Sequence, residues 1–215
     1  METVENIHRG HEYVDLGLSV KWATCNIGAA KPSDSGYYYA WGETSPKREY
    51  NRSTSKTYRK DAGIIAGNPD YDAARFNWEG KWRLPSDEEF QELRYECQWQ
   101  WTTIDGQEGC LVTGPNGNSI FLPASGYIID GNCITGGEGD DYRWGAYWSA
   151  TPDTFGNEDS MYLGFDEDHY DYELPEYSED EDEDEDEDEY YDDGEMVMAR
   201  QRYYGLTIRP VLGDY

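Results

Sequence analysis

Three histidines, four cysteines and one dense run of carboxylates are the groups in this sequence with chemistry to offer. Cys25, Cys97, Cys110 and Cys133 contain no C-x-x-C pair, so neither a zinc site nor a thioredoxin-like motif is written here. Their even number permits two disulfides and equally four buried thiols, because a thiol packs as a small apolar group. His8 and His11 stand three apart, a spacing that could meet a metal on a helix. Nothing nearby completes such a site, and residues 1–11 read as a flexible, solvated leader. His169 lies inside the acidic stretch, so a serine–histidine arrangement has little support. On these grounds the chain reads as non-enzymatic.

The carboxylates are the anomaly. Glu and Asp alternate without a break from Glu179 to Glu189, and no Lys or Arg occurs between Arg143 and Arg200. Like charges this dense repel one another and stay solvated. Residues 166–195 therefore read as an acidic loop inserted near the C-terminus. Carboxylate oxygens suit Ca²⁺, and Glu179, Asp180, Asp182, Asp184, Asp186 and Asp188 are the candidates for diffuse cation binding. An EF-hand does not fit: counting back from Gly194, the spaced ligand positions hold Glu189, Tyr191 and Asp193. No other cofactor is implied. The plain reading is a loop that binds nothing specific. A sharper one is docking onto a basic partner, where the field would speed encounter.

The formal charge of −29 disfavours binding to nucleic acid phosphates and to anionic membranes. No apolar run is long enough to span a bilayer, and the first residues lack a basic start followed by an apolar stretch. A length of 215 residues fits one domain. Its 20 tyrosines and 8 tryptophans supply much of the area a core needs, and its 23 glycines suggest a loop-rich fold.

The elements follow from periodicity. Tyr13–Ala23 alternates apolar and polar residues around Gly17, a hairpin pattern, and Tyr37–Gly42 reads as a short aromatic strand. Residues 44–70 read as loop. After Pro85, Ser86 and Glu89 form a capping box, with Phe90, Leu93 and Cys97 on one face of the helix that follows. Residues 72–76 suggest a shorter helix before it. Residues 99–103, 109–113, 119–123, 145–150, 161–165, 196–199 and 204–211 read as strands, with a turn at Asn116-Gly117. One or two early helices and many late strands make an α+β arrangement.

Five segments resemble a known family. They are Glu12–Asn26, the run Tyr39-Ala40-Trp41-Gly42-Glu43-Thr44, Gly80–Phe90 with its Trp82-Arg83-Leu84-Pro85, Asn118–Tyr127, and Tyr203–Val211. In this order, across Glu12 to Leu212, they look like the Fibrobacter succinogenes major paralogous domain of gut Bacteroidetes. That family resembles the formylglycine-generating-enzyme-like branch of the C-type lectin fold, which includes proteins varied by diversity-generating retroelements. The resemblance implies one C-type-lectin-like domain over residues 12–212, with residues 213–215 as a tail. Its N- and C-terminal strands should lie close together and its late loops should meet a ligand.

The enzymes of that branch use a late cysteine pair, and here no cysteine follows Cys133. Calcium-dependent sugar binders carry Trp-Asn-Asp where this chain has Trp148-Ser149-Ala150, so that site is not expected. Trp22, Trp41, Trp82 and Trp148 read as core. Tyr147, Asp153, Phe155, Tyr170, Tyr172 and Tyr203 are the candidate ligand contacts, since aromatic side chains suit adaptable binding faces. The expected function is recognition of a protein or glycan, outside the cell or on a phage particle. The alternatives are a structural or decoration protein and an enzyme related to sulfatase-modifying factors.

Overall fold

The computed structural model describes residues 6–135, 143–168 and 196–214. It opens with a tight hairpin, β1 (Ile7–His8) against β2 (His11–Asp15). Arg9 and Gly10 between them have φ of 52° and 82°, the two-residue turn whose twist matches paired strands. Residues 6–11, expected as part of a flexible leader, are therefore ordered, and packing explains why. The His11 ring stacks on Trp78 at 3.8 Å, and the Trp82 indole N–H donates to the His8 carbonyl.

β3 (Lys21–Ala23) returns antiparallel to β2, with Val14 opposite Trp22. The next stretch, residues 24–72, holds neither helix nor named strand. The aromatic segment Tyr37–Gly42, expected as a strand, makes a single bridge from Tyr39 to Leu206. Its alternate amides go to separate carbonyls, Tyr39 to Leu206 and Trp41 to Arg202, so no continuous ladder forms.

α1 (Ala73–Trp78) starts at Asp72, a buried carboxylate that accepts from the amides of Ala74, Arg75, Gly67 and Leu84. After β4 (Trp82–Arg83) comes α2 (Asp87–Glu96), opened by the expected capping box of Ser86 and Glu89. The same Glu89 carboxylate holds the buried Arg83 guanidinium bidentately, at 2.8 and 2.6 Å. Phe90 and Leu93 are buried as the periodicity predicts, whereas Cys97 ends the helix and is half-buried.

β5 (Gln98–Ile104), β6 (Gln107–Thr113) and β7 (Ser119–Pro123) form an antiparallel sheet. A small hairpin follows, β8 (Tyr127–Ile129) with β9 (Asn132–Ile134), turning through Asp130 and Gly131 at φ of 48° and 77°. β10 (Gly145–Pro152), β11 (Asp159–Phe165) and β12 (Val197–Gln201) make a second antiparallel sheet, and the acidic run falls in the β11–β12 connection. β13 (Val211–Leu212) slots between β3 and β4, so chain start and chain end share one sheet, β1-β2-β3-β13-β4.

The whole is α+β: two helices and many antiparallel strands among the described residues. No described helix is long and apolar enough to cross a membrane. Cys25, Cys97 and Cys133 are free thiols, and Cys110 is buried in the core.

The β10–β12 sheet divides the interior. Successive side chains on a strand point to opposite faces. Tyr147, Leu163, Phe165 and Val197 accordingly join a core with Phe90, Leu93 and the β5–β7 sheet. Ala146, Trp148, Ala150 and Tyr162 join a second core with Trp41, Trp82 and α1. The segment Tyr204–Val211, expected as one strand, threads between neighbours instead. It makes single bridges, from Gly205 to Ile128, from Leu206 to Tyr39 and from Thr207 to Tyr147, before β13 forms. Arg209 fastens this thread. Fully buried, it donates to Asn26 Oδ1 and to the carbonyls of Ala23 and Phe121 at 2.8 to 3.2 Å.

Candidate functional site

Where the second core reaches the surface, aromatic rings and guanidinium groups form a continuous band. β12 places Arg200 with its guanidinium carbon 4.4 Å from the Tyr127 ring centre and 5.1 Å from those of Tyr162 and Tyr204. It also donates to the Tyr162 hydroxyl at 3.3 Å. Tyr127 stacks on Trp144 with ring centres 6.0 Å apart, and on its other side meets Tyr204 at 5.5 Å. Tyr204 touches Tyr203 at 5.1 Å, and Tyr203 meets the edge of Tyr58 at 5.3 Å. Arg52 lies 5.8 Å from both Tyr58 and Tyr203, and Arg59 lies 5.3 Å from Tyr58. Guanidinium over an aromatic face is attractive by about 0.5–1 kcal/mol when exposed.

The band is held from beneath. Arg202 is fully buried against Trp41, 4.2 Å from its ring centre. Its Nε donates to the Asp159 carbonyl and to Ser160 Oγ, and its Nη1 donates to the Lys60 carbonyl at 2.7 Å. These bonds tie residues 57–60 to β11. The Arg59 amide adds a bond to the Asn157 carbonyl at 2.8 Å. The Tyr58 hydroxyl and the Arg59 side chain both reach the Glu158 carboxylate, at 2.8 and 2.6 Å. Hydrogen bonds from Tyr58 and Arg59 hold the Glu158 carboxyl below its ordinary range. Burial raises the Tyr204 phenol, which stays a neutral donor. Arg52 and Arg200 make no ion pair among the described residues. On a chain of net charge −29, cations beside aromatic faces with no ion pair among the described residues stand out.

The sequence candidates fall in different places. Tyr203 belongs to the band, although it is 7% exposed, and its hydroxyl bonds to Gln201. Phe155, 96% exposed, stands on the β10–β11 connection whose Asn157 and Glu158 anchor residues 58 and 59. Asp153 is half-buried at the start of that connection, its amide bonded to the Asp159 carbonyl. Tyr147 is a correction. Its ring is completely buried, its hydroxyl donates to the Pro123 carbonyl at 2.7 Å, and burial pushes its phenol up to about 12. It sits on the face of β10 opposite Trp148, inside the first core, and has no surface to offer a ligand. Tyr170, Tyr172, Glu179, Asp180, Asp182, Asp184, Asp186 and Asp188 lie outside the described residues.

Sequence reading did not single out Tyr58, Tyr127, Trp144, Tyr204, Arg52, Arg59 or Arg200 as ligand contacts. One signal pointed to the region: Arg200 is the first cation after the long cation-free stretch and stands just before the closing motif. Among the described residues no three of His, Cys, Asp and Glu gather as a metal-binding group. His8 accepts the Lys81 amide on Nε2, and His11 is stacked on Trp78, so both serve the fold.

A comparison of this chain with protein-family models, with curated proteins and with solved structures finds no match.

Proposed function

We propose that this chain is a non-catalytic recognition module of C-type-lectin-like architecture, akin to the Fibrobacter succinogenes major paralogous domain, displayed outside the cell or on a phage particle. Its ligand is a glycan or a protein surface. The observation that carries the reading is the band itself: Trp144, Tyr127, Tyr204, Tyr203 and Tyr58 in spatial order, with Arg200 and Arg52 interleaved and in no ion pair among the described residues. Tyrosine gives large contact area at low conformational cost, and tyrosine and arginine are both enriched at binding hot spots. The architecture is supported by the early capped helix, by the late strands, and by β13 lying beside β3, which joins the two chain ends as the resemblance implies.

The test is an array of glycans and host-surface proteins, probed with and without Ca²⁺ by the chain and by its Arg200→Ala and Phe155→Ser variants. The expected result is a restricted set of bound targets weakened at least ~10-fold by one or both substitutions, since a hot-spot residue contributes about 2 kcal/mol or more. No bound target, or targets held equally by folded variants, would overturn the reading.

A further inference from the structure

Beside the band lies an open hollow of about 360 Å³ lined by Asn51, Arg52, Ser53, Ile129, Asp130 and Tyr203. We infer that this hollow is a subsite for one residue of an uncharged oligosaccharide. The inference rests on the recognition reading above and narrows its ligand.

The volume lies within the range of small-ligand sites, roughly 300–1,000 Å³. The wall combines apolar surface from Ile129 and the Tyr203 ring with groups of opposite hydrogen-bonding sense. Arg52 only donates and the Asp130 carboxylate only accepts. Neither joins an ion pair among the described residues, and no described group bonds to the Asp130 carboxylate or to the Asn51 Nδ2. A hydroxyl both donates and accepts, so neighbouring sugar hydroxyls can satisfy both charges at once while C–H groups meet Ile129 and the exposed rim of Tyr203. A purely anionic group would satisfy Arg52 and be repelled by Asp130, and a purely cationic group would meet the reverse. The net charge of −29 adds a long-range barrier to polyanions.

The lining is also preformed. Asn51 Oδ1 accepts from the amides of Ser53 and Thr54 and from Ser53 Oγ, which closes the 51–54 turn. Asp130 is fixed at the tip of the β8–β9 hairpin in the left-handed region, φ 48°, and its amide donates to the Tyr50 carbonyl at 3.0 Å. The tyrosines beyond Tyr203 offer further ring surface along which a saccharide chain could continue.

The experiment is isothermal titration with neutral hexasaccharides (glucan, mannan, galactan and xylan series) and with uronate and sulfated oligosaccharides as charged comparators. The proteins are the full chain and its Asp130→Asn and Arg52→Ala variants. Asn tolerates the left-handed turn, so Asp130→Asn keeps the backbone and removes only the charge. At least one neutral series should bind, and each variant should weaken it about 10-fold or more. Binding confined to the charged glycans, no neutral binding at millimolar concentration, or neutral binding indifferent to both variants would each overturn the inference. The protein spots of the array separate the two levels. Retained protein targets sensitive to Arg200→Ala would leave the recognition reading standing without its saccharide, and an empty array would remove both.

Discussion

Two aromatic clusters at different corners of this molecule use the same residue types to different ends. Near the N-terminus, His8, His11, Trp78 and Trp82 pack ring against ring, with two hydrogen bonds inside the cluster's own neighbourhood. The Trp82 indole bonds to the His8 carbonyl, and His8 Nε2 takes the Lys81 amide. At the second cluster, Tyr58, Tyr203, Tyr204, Tyr127 and Trp144 run in a line with Arg52 and Arg200, which make no ion pair among the described residues. Aromatic content alone therefore does not mark a binding face. What marks it is the presence beside the rings of cations that make no ion pair among the described residues.

The same contrast holds between two arginines close in sequence. Arg209 is buried and donates to three fixed oxygens, as a fastener. Removing it should produce the largest effect. Arg209→Ala leaves three buried acceptors unpaired and a cavity beside Phe121, and should cost about 3–5 kcal/mol in urea unfolding. A cost below ~1 kcal/mol would mean the closing thread is held by its backbone bridges alone.

Next in size, Trp78→Ala should cost about 3 kcal/mol by emptying the site on which His11 stacks. If the two clusters are separate in role, ligand binding by the folded variant should be unchanged, and a loss would blur the comparison. Arg200→Ala should do the reverse, costing about 1 kcal/mol or less of stability while weakening ligand binding.

The smallest expected effect is on pH dependence. Burial lowers the His11 pKa, so the folded state binds fewer protons than the unfolded chain. Stability is then full above the unfolded value near 6.5 and declines as pH falls below it. Urea midpoints between pH 7.5 and 5.5 should therefore fall, and His11→Phe should flatten that slope. An unchanged slope in the variant would place the pH response elsewhere.

Much of the fold was legible along the chain because it rests on local signals. Ser86 and Glu89 announced the helix, Asn116-Gly117 a turn, and period-two runs most of the long strands. The failures were of one kind. Tyr37–Gly42 and Tyr204–Val211 have strand-like composition, yet their backbone partners lie on several different elements, and no local period encodes that. Residues 7–11 looked like a tail because a two-residue strand carries no readable period, and the Trp78 and Trp82 that anchor it come some seventy positions later. The site followed the same division. Tyr203 and Phe155 were legible as aromatics in late, loop-rich sequence. Tyr147 was misread because alternation along β10 does not say which face is buried when both faces meet a core.

By itself, then, the sequence determined the α+β class, the capped helix, the turns and the concentration of negative charge in one connection. These depend on neighbours a few positions apart and on composition. Only the tertiary structure decided which of the many tyrosines stand together and which cations stand beside them. Tyr58, Tyr127 and Tyr204 are brought together by long-range bonds: Arg202 to residues 57–60, and Gly205 to Ile128. Contacts of that sequence separation form only when the whole chain closes.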